Sequence, residues 1–191
     1  LTSLQMSIPR YFLEAYYNTE QVGYFTALSY VLMLGMTVAT PLQQATSPRL
    51  ARLYANNTTE FYTLYRKLLL IGAVIGIAGI IFALAVAKEF LRLIYGLEYS
   101  VYSLEFTVIM FCGAALYVQA FANAVLTVTR QLKTQSMIAA VASITCLVTS
   151  IFTIRYYGLM GAAVAIAVAQ WLAMLLSLFF VSKTLQKNGI I

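Results

Sequence analysis

Apolar residues in this chain come in long unbroken blocks and do not alternate with polar ones. Five blocks, residues 23–46, 68–87, 106–129, 136–154 and 159–182, contain no Asp, Glu, Lys or Arg. Residues 68–87 (LLLIGAVIGIAGIIFALAVA) contain no polar side chain of any kind. A helix crosses the hydrocarbon layer of a bilayer with about 20 mostly apolar residues, and each block meets that length. The blocks are too long and too continuous for barrel strands, which alternate over about 10 residues. The pattern predicts an all-α, polytopic transmembrane helix bundle. It has five complete spans, preceded by the tail of a sixth in the opening LTSLQMSI, and forms a single lobe over residues 1–191.

Helix punctuation falls between the blocks. Asn18 before Thr19, Glu20 and Gln21, and Asn57 three residues before Glu60, are N-cap patterns with an acid in the first turn. Ser47-Pro48 predicts the start of a short helix through Tyr54, with Arg49 and Arg52 toward lipid headgroups. Lys88 to Tyr95, closed by Gly96, predict an interfacial helical turn on the outer side. Pro9 is expected to break or kink the first helix. Gly72, Gly76, Gly79 and Ala83 share one helix face, as do Gly158, Gly161, Ala165 and Ala169; such small-residue stripes let helices pack closely within one bundle.

Composition narrows the class. Hydrophobic residues make up 62% and charged residues 9% of the 191, against about 25% charged in soluble domains. A soluble enzyme, a nucleic-acid module and a disulfide scaffold are excluded on that ground. Histidine is absent, and Cys112 and Cys146 lie inside apolar blocks as small core residues, so neither a metal site nor a cofactor is expected. The chain opens Leu1-Thr2-Ser3 without a signal-peptide pattern and reads as a piece of a larger protein.

The net charge of +6 reflects membrane topology and implies no nucleic-acid partner. Arg49, Arg52, Arg66, Lys67, Arg130, Lys133, Lys183 and Lys187 fall on one side of the alternating spans, against Arg10, Lys88, Arg92 and Arg155 on the other. The positive-inside rule puts the richer side, with the C-terminus, in the cytoplasm. Tyrosines gather near the span ends as an aromatic belt, among them Tyr16, Tyr17, Tyr24, Tyr95, Tyr99 and Tyr102.

No Asp, Glu, Lys or Arg sits in the middle of any complete span, where an ion-coupled pump usually keeps one. The polar residues at depth are Gln43, Gln44, Gln119, Asn123 and Gln170. Gln119 and Asn123, four apart, share a helix face. Two readings stand open: hydrogen bonds between helices, or a hydrated cavity that meets a polar, sugar-bearing substrate. Arg10, in the string Ile8-Pro9-Arg10-Tyr11-Phe12, is either a cation held among aromatic rings or one that snorkels to headgroups.

The segment SIPRYFLEAYYNTEQVGYFTALSYVLMLG resembles the C-terminal half of bacterial oligosaccharide-unit (O-antigen and polysaccharide) flippases of the MOP exporter superfamily. Pro48-Arg49-Leu50-Ala51, Leu93-Ile94-Tyr95-Gly96-Leu97-Glu98-Tyr99 and Tyr157-Gly158-Leu159-Met160-Gly161-Ala162-Ala163 extend the resemblance over the whole chain. It implies the second lobe of a MATE-like exporter fold in the bacterial inner membrane, facing a missing N-terminal lobe across a cavity that opens to alternate sides. It also implies a cargo of undecaprenyl-diphosphate-linked oligosaccharide, with Arg10 toward the diphosphate, in a protein that is a transporter and not an enzyme. Three rival classes are a multidrug or cation exporter of the same superfamily, a non-transporting membrane scaffold, and a membrane enzyme. The exporter would use membrane carboxylates and the enzyme a cluster of acids or histidines, and these spans and loops carry neither.

Overall fold

A computed structural model describes residues 2–187. Leu1 and residues 188–191, the ends of the expected lobe, lie outside the described residues. Five α-helices and one short 3₁₀ turn follow in order: α1 Thr2–Tyr16, α2 Thr19–Asn56, α3 Thr58–Tyr95, the turn Leu97–Tyr102, α4 Ser103–Val128 and α5 Leu132–Lys187. No strand occurs among the described residues. Four helical segments are long and apolar enough to cross a membrane: α2, α3, α4 with its preceding turn, and α5.

The 56-residue α5 doubles back on itself. Gly158, at φ 53° and ψ −126°, adopts a backbone open to glycine and not to residues with a Cβ. The Thr153 hydroxyl then donates to the Gly161 carbonyl at 2.9 Å. Along an unbroken helix, eight residues would separate these groups by about 12 Å. A Cβ on Gly161 would collide with the Thr153 carbonyl, so glycine is needed here for close approach. The two arms, 132–157 and 159–187, meet again at the far end, where Gln131 Nε2 donates to Thr184 Oγ1 at 2.8 Å.

Both N-caps form as expected. Asn18 Oδ1 accepts from the Gln21 N–H at 3.1 Å, and Asn57 Oδ1 from the Glu60 N–H at 3.2 Å. Other local expectations are corrected. Ser47-Pro48 opens no new helix, because α2 runs through both Pro41 and Pro48. Nearby hydroxyls back-bond to carbonyls there, Thr46 to Leu42 at 2.7 Å and Ser47 to Gln43 at 2.7 Å, and the fully buried Leu50 anchors the continuation. Residues 88–95 are helical and closed by Gly96 at φ 108° as expected, and they are continuous with α3 as its last turns. Pro9 lies inside an unbroken α1.

The helices pack around α4. At one end of the bundle Leu13, Phe25, Leu91, Phe106 and Ile154 form a core; at the other, Leu50, Phe61, Phe121, Ile138 and Leu185 form a second. The contact between α3 and α4 is tightest at Gly76, where a Cβ would sit 2.5 Å from Ala114 Cα. The small-residue face of α3 is thus spent within the bundle. Between α2 and α4, the Tyr117 hydroxyl donates to the Leu32 carbonyl at 2.9 Å, across the space that Gly35 leaves open.

The first core adjoins a tyrosine cluster. Tyr24 packs at 4.8 Å against both Tyr99 and Tyr102, and its hydroxyl donates to Glu20 Oε1 at 2.7 Å. The second core adjoins the basic end, which carries Arg49, Arg52, Arg130, Lys133, Lys183 and Lys187. There α4 turns into α5 through Arg130, held at φ 56°. A left-handed backbone at a non-glycine residue costs about 1–2 kcal/mol. A cation beside a helix C-terminus returns only about 0.3–1 kcal/mol.

Candidate functional site: an amide-lined cavity

The site grows from one face of α4. Gln119 and Asn123, one helical turn apart, both point toward α5. Gln170, buried on the second arm of α5, donates from Nε2 to Gln119 Oε1. Two turns further along that arm, Ser177 Oγ donates to Asn123 Oδ1 at 3.3 Å. These bonds use one acceptor of each α4 amide and leave its NH2 group without a partner among those bonds.

A cavity of about 560 Å³ opens beside this pair. Its polar lining comes from four helices: Gln5 on α1, Gln43 on α2, Gln119 and Asn123 on α4, and Gln135 and Ser136 on the first arm of α5. Met36, Leu116 and several alanines complete the wall. The size falls in the range of small-molecule sites, about 300–1,000 Å³. No charged side chain lines it among the described residues. A carboxamide offers two donors and an acceptor, which suits a ligand whose groups are both donors and acceptors. Sugar hydroxyls are such groups; a bare cation or a diphosphate is not.

The sequence candidates separate at this point. Gln43, Gln119 and Asn123 line the cavity, and Gln170 stands behind it through Gln119. Gln119 and Asn123 make hydrogen bonds between helices, and the same side chains line the cavity. Gln44 is exposed and lies off the lining. Arg10 is half-buried on α1, also off the lining, and its Nε is buried without a hydrogen-bond partner. Gln5, Gln135 and Ser136 were missed by sequence reasoning. Gln5 falls in the supposed tail of a truncated span, and Gln135 just ahead of the block that begins at Ser136. An amide flanking an apolar block is the signal that could have found Gln135.

The chain is 29% identical over 181 residues to a Staphylococcus aureus protein, "Capsular polysaccharide biosynthesis protein CapF". The match covers 94% of this chain and 46% of that protein, so the chain spans less than half the length of this relative. No family model matches the chain. No solved structure matches it. The class so defined is an all-helical protein with helices of membrane-crossing length. Its likeness is to a protein named for capsular polysaccharide biosynthesis.

Proposed function

We propose that this chain forms one lobe of a membrane flippase that moves lipid-linked oligosaccharide units across the bacterial inner membrane for surface-polysaccharide synthesis. The observation that carries the reading is the cavity itself: about 560 Å³, uncharged among the described residues, and set with carboxamides from four helices. Its chemistry fits the glycan part of an undecaprenyl-diphosphate-linked cargo. A cation exporter would be better served by a carboxylate on that wall, and none stands there among the described residues. The relative's printed name supports the same biology.

In this reading the chain crosses the membrane five times, each arm of α5 counting once, with α1 as the end of a sixth span. The basic end and the C-terminus face the cytoplasm. A second lobe closes the cavity from the opposite side, and the two rock to expose it to each leaflet in turn, as inverted or paired repeats do in other transporters. Arg10 lies six residues before the end of α1, about 9 Å along the helix. Its guanidinium meets the diphosphate once the sugar has passed.

Complementation tests the reading. The full-length protein, expressed in a strain lacking its own polysaccharide flippase, is expected to restore surface polysaccharide. Failure at normal membrane levels, with several cargo types tried, would remove transport from consideration.

A further inference from the structure

We infer that the turn joining α4 to α5 is an anion subsite in which Arg130 holds the phosphate group of a lipid at the basic end of the bundle. A second cavity, of about 560 Å³, opens there between the end of α2 and the end of α4. Ser47, Tyr54, Thr127, Thr129 and Arg130 line it, and Arg130 is its one charged lining residue among those described. None of these residues belongs to the amide-lined cavity.

Backbone geometry singles out Arg130. The Gln131 N–H bonds back to the Leu126 carbonyl at 2.8 Å and the Arg130 N–H to Thr127 at 3.0 Å. This is the hydrogen-bond pattern that closes a helix through a left-handed residue, usually glycine. Arginine holds that place here at φ 56°. Glycine would make the same turn without strain, so the turn does not explain the side chain. Surface charge does not explain it either, because Lys133 supplies a cation three residues later in ordinary helical backbone.

The surrounding chemistry favours a phosphate. The hydroxyl protons of Ser47, Thr127 and Thr129 are committed to the carbonyls of Gln43, Asn123 and Val125 at 2.7, 2.9 and 2.9 Å. The guanidinium is the one charged donor on this wall among the described residues, and its planar fork fits two phosphate oxygens at once. Arg49, Arg52 and Lys133 surround the same end and raise the local concentration of anions. Two sources carry this group: the diphosphate of the lipid-linked cargo and an anionic membrane phospholipid. Only the first rests on the transport reading above.

The test uses the full-length protein in phosphatidylcholine nanodiscs, titrated separately with undecaprenyl diphosphate and with phosphatidylglycerol, binding being read by native mass spectrometry. Arg130→Gly and Arg130→Asn both accept the left-handed backbone, so at least one folded neutral variant is available. Both are expected to keep or raise the thermal midpoint while weakening binding of a probe about tenfold; Arg130→Lys, which retains charge but not the fork, falls between. Loss for undecaprenyl diphosphate alone assigns the subsite to the cargo. Loss for both probes assigns it to lipid phosphate in general. Loss for phosphatidylglycerol alone assigns it to membrane lipid and stands even if the protein fails to restore surface polysaccharide. Unchanged binding of both probes in a folded neutral variant overturns the inference.

Discussion

The Cys146 thiol donates to the backbone carbonyl of Gln5 across 3.6 Å, and Gln5 stands four residues before Pro9. A proline has no N–H, so its helix leaves the carbonyl four residues back without a partner. The orphan is taken up by a thiol from α5, 141 residues away in sequence. A helix buried in lipid tolerates proline where a neighbour re-satisfies the freed group, which is why α1 runs on through Pro9 to Tyr16.

A double-mutant cycle tests this pairing. Cys146→Ala is expected to destabilise the protein by about 1–3 kcal/mol, through an unsatisfied buried carbonyl and lost packing. In a Pro9→Ala background the helix supplies its own N–H, and the penalty is expected to shrink by about 0.5–1 kcal/mol. Thermal or denaturant unfolding in detergent measures both. Equal penalties in the two backgrounds would show that the thiol does not serve the carbonyl.

Residues that act on near neighbours were legible in the sequence. Asn18 and Asn57 cap helices because a side-chain oxygen reaches an N–H three residues on, and the apolar blocks reveal themselves by length. What depended on a distant partner was not legible. Pro9 reads as a break until Cys146 is placed beside Gln5. Gly35 carried no signal until Tyr117 arrived from α4, and Arg130 looked like an ordinary loop cation until its backbone was seen. The cavity was half legible: Gln119 and Asn123 announced a polar face, whereas Gln5 and Gln135 join them only through packing of α1 and α5.

The two central glycines of α3 should behave differently. A Cβ at Gly76 would lie 2.5 Å from Ala114 Cα, whereas at Gly79 the nearest atom is Met110 Sδ at 4.0 Å. Gly76→Ala is expected to destabilise by about 1–3 kcal/mol through overpacking, and Gly76→Leu by more. Gly79→Ala is expected to be neutral or slightly stabilising, since alanine is the better helix former. Similar losses at both positions would place the α3–α4 contact elsewhere.

Topology follows from which end each segment occupies. The 3₁₀ turn Leu97–Tyr102 adjoins the core that includes Leu13 and Leu91, and Leu185 belongs to the core at the opposite end. Reporter fusions within residues 96–100 and at Lys187 are expected in opposite compartments, with Lys187 cytoplasmic. A shared compartment would contradict the five-span arrangement.

Water access distinguishes the cavity from a dry helix contact. Cysteine at position 119 or 123 of the full-length protein, with Cys112 and Cys146 replaced by serine, is expected to react with a water-soluble maleimide. Ile80, on α3 and away from the cavity lining, is the control and should react at least about tenfold more slowly, because thiolate chemistry needs water. Equal rates at all three positions would mean that the amides serve only to join helices.

Translocation itself is the most direct measurement. In proteoliposomes holding the full-length protein, transfer of a fluorescent undecaprenyl-diphosphate-linked oligosaccharide between leaflets is expected to exceed that in protein-free vesicles. The pair Gln119→Leu and Asn123→Leu, which removes the amides facing the cavity without opening a void at either position, is expected to slow transfer about tenfold or more at unchanged protein content. Transfer no faster than in empty vesicles, or transfer indifferent to the loss of both amides, would contradict a cavity that carries the sugar.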